Sequence, residues 1–497
     1  MASNHDNLYL KFRSFRLLQL VLVTVSLFSL SYPVQAQQVL TLGDCIRLAL
    51  KNNVTVKNAE NNEVQAKITY DQSRMQRIPQ VSFDMSQGVN TGRSIDPYTN
   101  LYIDNVTGFG NYGLSAGILL FNGMQLTNTI KRNQELLTSL GMDKETSKNI
   151  LIMQLIAAYI SVISNTEIEK AVQVQLQNSK TQLEGAIEKV KAGILGEKQL
   201  ADFQALVAVE ELEKENAKYA LERSRLDLFL LMNMVPEDSL VFSPLLTTDN
   251  LPEAGSLDAG TVYQDALKHF PDIKAIDARK KAVEYDLRIA KGSRLPSLSL
   301  YTGLYSTYSS SAPSTRFEPD GTTSTVINTS STKYITVGGN DYFIKEVQEQ
   351  QNGTEKPFGF LSQIQFNRSL NFGVSLRIPI INGMQSKYKI SAARANMSFT
   401  NSQLDAKKTE LLNTIKMAIL NYTNTQNRIS ILTRQQKAYE QSVSNAAIRL
   451  STGTGSTLDY LLSKTSLDRS IISLIQTKYE QTFRWKIINF YSTGTWD

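Results

Sequence analysis

A fifteen-residue stretch occurs twice in this chain. Residues 111–125, NYGLSAGILLFNGMQ, and 371–385, NFGVSLRIPIINGMQ, align without a gap at a spacing of 260 residues and share eight identities. A long-period repeat of this kind means that one structural plan was used twice. Each stretch alternates like a strand, meets Asn-Gly and enters a long helical pattern. The plan in each copy reads helix, strand, loop, strand, long helix, turn, returning helix.

The first copy spans 37–235. A helix over 41–78 ends at the Arg77-Ile78-Pro79 junction, because proline lacks an amide proton and disfavours a helical residue before it. Strands are expected at 79–88 and 111–121, separated by a loop over 88–110 rich in Gly, Asn, Asp and Thr. The long helix covers 123–192, Gly193 and Gly196 make a turn, and the returning helix covers 197–234. A proline-bearing linker, 236–260, separates the copies. The second copy, 261–497, runs through a helix to the Arg294-Leu295-Pro296 junction. Strands follow at 296–306 and 371–381, then a long helix over 383–452, a turn at Gly453 and Gly455, and a returning helix over 456–491. Its connecting loop, 306–370, is far longer than its counterpart. The Ser/Thr-rich start of that loop is expected to be mobile, and 333–345 to extend a hairpin.

The strands carry one apolar and one polar face. Tyr112, Leu114, Ala116, Ile118 and Leu120 alternate with Asn111, Gly113, Ser115 and Gly117; Phe372, Val374, Leu376, Ile378 and Ile380 alternate with Asn371, Gly373, Ser375 and Arg377. An arginine facing a wet lumen is tolerable, whereas one buried in a dry core is costly. Tyr98, Tyr102, Phe109, Tyr112, Tyr301, Tyr305 and Tyr308 are candidates for membrane-interface girdles, or are plain loop aromatics. Alternate steps of four and three from Leu404 to Leu450 meet eleven apolar residues in fourteen, which is a coiled-coil seam. A 70-residue helix extends about 105 Å, more than a globular core requires.

Several function classes drop out. A basic region at Lys11, Arg13 and Arg16, an apolar core over 17–30 and small residues up to Ala36 read as a secretory leader, 1–36. Its removal takes three basic residues and one acidic residue from a net charge of +6, leaving +4, too mild an excess for a nucleic-acid binder. Cys45 is the one cysteine, so no internal disulfide forms, and it is expected on the apolar side of a helix. Histidine is confined to His5 and His269, so neither a His/Cys metal site nor a nucleophile–histidine pair is in view. An enzyme is therefore not expected, nor a cofactor.

The strands have the length that crosses a bilayer, about ten residues each. Four strands cannot close, and an open edge in lipid is not tolerated. Several chains must then share a barrel: two supply eight strands, three supply twelve, and a pore favours three. The expected fold is mixed and mainly α: a long coiled-coil helical barrel continuous with a shared transmembrane β-barrel, built from two internal repeats.

The combination of two-copy layout, R-x-P junctions, strand-Asn-Gly-helix stretches and tip turns (VKAGILGEKQLADFQA and LSTGTGSTLDYLLSKT) resembles the TolC-like outer-membrane efflux channels, over essentially the whole mature chain. The resemblance implies a homotrimer in the outer membrane of a Gram-negative bacterium, with helices reaching into the periplasm. It also implies docking to a periplasmic adaptor and an inner-membrane transporter, contact with outer-membrane lipid, and export of small toxic compounds or proteins. It makes Gly193, Gly196, Gly453 and Gly455 the tip turns that an adaptor grips. Asp459 matches a ring of acids that closes such channels at the tip, while Leu462 stands where some relatives have a further acid. Asp459 reads equally as half of a Ser456-x-x-Asp459 capping box. Asn122, Gly123, Asn382 and Gly383 are read as strand-to-helix junctions; Arg77, Pro79, Arg294 and Pro296 as helix-to-strand junctions. The other class in play is a trimeric surface adhesin or stalk protein on a small barrel anchor.

Overall fold

The computed structural model describes residues 39–95, 100–236, 240–244 and 251–496. The leader and Tyr98 lie outside the described residues. In chain order the elements are β1 (Val39–Leu40), α1 (Leu42–Asn52), α2 (Val54–Met75), β2 (Gln80–Asn90), β3 (Arg93–Ile95), β4 (Tyr102–Asp104), β5 (Thr107–Asn122), α3 (Gln125–Lys191), α4 (Glu197–Met232) and β6 (Val241–Phe242). There follow α5 (Ala259–His269), α6 (Pro271–Gly292), β7 (Ser297–Ser309), β8 (Thr315–Val337), β9 (Asn340–Pro357), α7 (Phe360–Phe366), β10 (Ser369–Arg377), α8 (Gln385–Ser451) and α9 (Thr457–Thr493). The chain forms two compact units, each drawing on both sequence copies.

One unit is helical and comprises Met1–Glu63, Leu140–Ala275 and Leu404–Asp497. Its largest core gathers Cys45 and Ala49 of α1, Leu155 and Tyr159 of α3, and Leu228 and Met232 of α4 around the parallel pair β1–β6. The linker region is thus tied into this core, with Leu240 and Phe242 buried. The Tyr159 hydroxyl donates to the carbonyls of Leu40 (3.1 Å) and Ser243 (2.7 Å). Cys45 is fully buried, and that burial pushes its thiol up to about 12. Part of α3 is long and apolar enough to cross a membrane. Leu151, Leu155, Ile156 and Tyr159 instead pack into this core.

The heptad seam is found where expected. From Leu404 to Leu450 no seam position is exposed, and Leu404, Leu411, Ile415 and Tyr422 are buried. Off the seam, Met417, Leu420, Ile431 and Ile448 are each more than half exposed.

One helix expected to be continuous is interrupted, and a second divides after His269, which in the sequence reads as a helix C-terminal residue before Phe270-Pro271. The helix over 41–78 breaks at Asn53, which is extended (φ −64°, ψ 130°). Its amide donates to the Leu231 carbonyl (3.0 Å) and its Oδ1 accepts from the Thr55 N–H (2.8 Å), so one side chain ends a helix and opens the next. The helix over 261–294 breaks at Phe270, held extended by Pro271. Thr41 opens α1 with the reciprocal Thr41–Asp44 capping box.

The other unit, Val64–Ser139 and Ile276–Gln403, holds the sheet. Four antiparallel strands run in the order β10-β7-β5-β2. Both connecting loops are more ordered than composition suggested. In 88–110, β2 and β5 extend inward to Asn90 and Thr107, flanking the short β3–β4 pair. Most of the 306–370 loop is strand: β7 runs to Ser309, a turn covers 310–314, and β8 and β9 form one long hairpin, followed by α7. Cross-strand pairing satisfies a backbone whose Ser/Thr content suits strands as well as loops. At the other end β10 stops at Arg377 rather than 381, since Pro379 cannot donate to a ladder.

Candidate functional site

The sheet is sided from edge to edge. Phe83, Leu114, Leu304 and Leu370 form one row across all four strands, and Ile118, Leu300 and Val374 another on the same face. The opposite face carries the row Ser82, Ser115, Gly303 and Asn371, with Arg377 at its end. The apolar face is uncovered over β2 and β10: Phe83 is 65% exposed, Val374 61% and Phe372 82%. Such a continuous apolar surface is foreign to a water-soluble monomer. Among the described residues no strand pairs with the outer side of β2 or of β10.

The aromatics divide between the faces. Tyr301 and Tyr305 are not on the apolar face, so they are no lipid-facing girdle. They lie across glycines of neighbouring strands: a Cβ on Gly373 would meet the Tyr301 hydroxyl at 2.6 Å, and one on Gly113 would meet Tyr305 at 2.9 Å. Glycine beside tyrosine lets each ring lie flat on the sheet. Tyr112 and Tyr308 are on the apolar face, each edge-on to Phe360 of α7.

Each strand-to-helix junction uses two consecutive left-handed residues, Gly123-Met124 (φ 65° and 63°) and Gly383-Met384 (φ 60° and 63°). Asn122 caps the first, its Oδ1 accepting from the Leu126 N–H (3.1 Å). Asn382 donates to Ser386 Oγ (2.6 Å) in the second. The surroundings differ. A Cβ on Gly123 would lie 2.4 Å from the Gly292 carbonyl oxygen and 2.7 Å from Leu295 Cβ, at the Arg294–Pro296 junction. Gly383 has nothing within 4 Å. Pro79 and Pro296 each follow a helix end, and the side chains of Arg77 and Arg294 are exposed.

In the helical unit the two turns repeat one geometry. Gly193 (φ 66°) and Gly453 (φ 74°) are left-handed. The Ile194 N–H donates to the Lys189 carbonyl (2.9 Å), and the Thr454 N–H to the Arg449 carbonyl (3.0 Å). Both are Schellman closures. The Gly196 N–H donates to Gln199 Oε1 (2.8 Å). Gly455 is required for space, since its Cβ would come 2.8 Å from Arg449 Cβ. The Ser456–Asp459 capping box does not form: Ser456 Oγ accepts from the Leu458 N–H (3.1 Å). Asp459 is exposed, on the rim of a recess with Arg449, Ser456 and Leu462.

One feature of this region escaped sequence reading. Lys464, 6% exposed, donates to Glu210 Oε1 (2.6 Å) and Asp468 Oδ2 (2.7 Å), joining α9 to α4. Burial alone would lower the lysine's pKa, but the bonds to Asp468 and Glu210 outweigh it and the net shift is upward. Burial raises Asp468. Nearby, the Tyr460 hydroxyl donates to Gln182 Oε1 (2.6 Å). The i,i+4 spacing of Lys464 and Asp468 was visible in the sequence; Glu210, 254 residues away, was not. Among the described residues no group of three or more His, Cys, Asp or Glu is placed to hold a metal ion.

This fold is that of outer-membrane channels. The structure superposes on the outer membrane protein VceC of Vibrio cholerae with a TM-score of 0.71 at 15% identity, covering 91% of this chain and 96% of that one. For CusC, described as forming a transmembrane channel, the TM-score is 0.72 at 15% identity, with 91% of each chain covered. For the CmeC outer membrane channel of Campylobacter jejuni it is 0.69 at 17% identity, covering 91% and 85%. In sequence, residues 350–486 match the outer membrane efflux protein family. The chain is thus TolC-like in fold along its length and bears the efflux-protein pattern over that segment. No curated protein matches the sequence.

Proposed function

We propose that this chain is one third of an outer-membrane duct, exporting small toxic compounds or proteins from the periplasm together with a periplasmic adaptor and an inner-membrane transporter. The observation that carries this is the sheet: one mainly apolar face, and two free edges that a bilayer would not tolerate. Three copies give twelve strands, enough to enclose a channel. The apolar face meets lipid and the Ser/Gly/Arg377 face lines water. The uncovered apolar residues of α8 pack against helices of neighbouring copies.

The repeat supplies the register of the seam. Within the chain Ala116 of β5 pairs with Thr302 of β7. Carried to the other copy, by 260 residues for β5 and by 217 for β7, this sets Leu376 of β10 against Met85 in β2 of the next chain. It also sets Gly383 against that chain's Ile78, filling the space that Leu295 fills at Gly123. With Cys45→Ser as background, Leu376→Cys and Met85→Cys are expected to form a disulfide between chains; monomers alone after oxidation in intact envelopes would refute the shared barrel. Efflux is tested by deleting the gene: sensitivity to a panel of toxic compounds, or loss of a secreted protein, is expected.

The wall needs no reacting group, and we assign no catalytic residue. Gly193, Gly196, Gly453 and Gly455 shape the turns that the adaptor grips. Asp459 supplies a carboxylate to a ring at the tip; its exposure and its lack of a capping bond favour that over a helix-capping role. Single-channel recording of Asp459→Ala should show weaker block by divalent cations, and an unchanged block would remove the ring. Nothing in the chain favours the adhesin reading: strand pairs interleave with helices in both copies instead of gathering at one terminus.

A further inference from the structure

The β8–β9 hairpin projects from the sheet as a two-stranded ladder with both outer edges unpaired. A hairpin alone is marginal in water, yet this one pairs from Thr315–Pro357 to Val337–Asn340. Its base is fixed. Phe358 is 3% exposed, its N–H donates to the Ser314 carbonyl (2.8 Å), and its ring meets Phe366 of α7 edge-on. The Arg316 guanidinium lies over the Phe366 ring, and Gln363 Oε1 accepts from the Ser309 N–H (3.0 Å). Its tip is a tight Gly338-Gly339 turn with both residues at positive φ (62° and 89°), the primed geometry that suits a twisted hairpin.

Next to that turn the hairpin is apolar on both faces. Tyr334 and Phe343 pair on one face, Ile335 and Tyr342 on the other, and Val337 adjoins them; each is at least half exposed. One carboxylate, Asp341, lies beside the turn and accepts from Thr336 Oγ1; the ion pairs lie further down, Lys333 with Glu346 (2.7 Å) and Lys356 with Glu318. A two-sided apolar end on a ladder with open edges is not a surface built for water alone. Position indicates what covers it. The hairpin connects β7 to β10, and β10 is the edge strand of the sheet. In the assembly proposed above, each hairpin therefore rises at a seam between chains. Among the described residues, the first copy's connection carries the short β3–β4 pair.

We propose that the β8–β9 hairpins of neighbouring copies pack on one another through these apolar tips, forming a collar over the mouth of the barrel. The occupant of each tip is the same hairpin of a second copy. This rests on the shared-barrel reading, and the test separates the two. In a Cys45→Ser background, Tyr342→Cys is oxidised in intact envelopes, beside the Leu376→Cys/Met85→Cys pair. The expected result is a disulfide-linked dimer through position 342, lost when Ile335→Ser and Phe343→Ser are added while the seam link persists. A seam link with no dimer through position 342 overturns the collar. It does so whether the thiol there is then shielded from a charged maleimide, as in lipid, or cross-links to a different protein. Absence of both links overturns the collar and the shared barrel together. A tip link without a seam link keeps the paired hairpins and overturns the barrel.

Discussion

The two copies of the repeat share their backbone turns and differ in what surrounds them. Gly123 and Gly383 have the same left-handed conformation, as do Gly193 and Gly453. Yet Gly123 is clasped by Gly292 and Leu295, while Gly383 faces open space. On the returning helices, Lys464 is buried between two carboxylates; the residue 260 positions earlier, Gln204, is exposed. What a turn needs locally is written in both copies. What packs against that turn depends on which copy the chain itself completes.

The ion triad should show the largest asymmetry. Lys464→Met leaves the buried Glu210 and the half-buried Asp468 without a cation and is expected to cost about 3–5 kcal/mol. Gln204→Met should stay within about 0.5 kcal/mol. Denaturant unfolding of the detergent-solubilised protein measures both, and equal effects would break the comparison.

The junctions come next. Gly123→Ala combines left-handed strain with overpacking against Gly292 and should cost roughly 2–5 kcal/mol. Gly383→Ala meets strain alone in a single chain, about 1–2 kcal/mol. In the assembly proposed above, Ile78 of the neighbouring chain would supply the missing clasp, and the two costs should then converge. Thermal unfolding of assembled and dissociated protein distinguishes these cases.

At the tips no asymmetry is expected. Gly193 and Gly453 have open space around them, so alanine at either costs only the strain of its backbone, about 1–2 kcal/mol. A markedly greater cost at one turn would show that it is gripped and the other is not.

The smallest expected effect is on pH dependence. Lys464 has a raised pKa, so its stabilisation is complete below its ordinary value of 10.5 and is lost as pH climbs through the raised value. Asp468 is also raised, so the folded form holds its proton more tightly than the unfolded chain. Its contribution grows as pH falls toward 3.8. The tip should therefore loosen in alkali before acid, read as trypsin cleavage near Lys189 and Lys191 across the pH range. Earlier loosening on the acid side would contradict this.

Much of the molecule was legible because it is periodic. The 3.5-residue seam from Leu404, the two-residue alternation around Leu114 and Phe372, and the glycine turns are local rules that repeat, and repetition makes them visible. The misses came where a single residue acts against its neighbourhood. Asn53 breaks a helix because its side chain reaches Leu231. Tyr301 and Tyr305 fall on the polar face by the strand's alternation with Leu300 and Leu304, and the facing glycines give their rings room. Ser/Thr-rich sequence from Thr315 became strand because a partner strand lay in register.

The sequence by itself determined the plan: two copies, their strands and long helices, the junctions, and the insufficiency of one chain to close a wall. These follow from backbone hydrogen bonding and side-chain periodicity, which act over a few residues. Only the tertiary structure decided the strand order β10-β7-β5-β2, the clasp on Gly123 and the gap at Gly383, the burial of Lys464 between Glu210 and Asp468, and the anchored hairpin with its bare apolar tip. Those depend on which distant segments meet, and the energy of a buried charge or an uncovered apolar face is set by those neighbours.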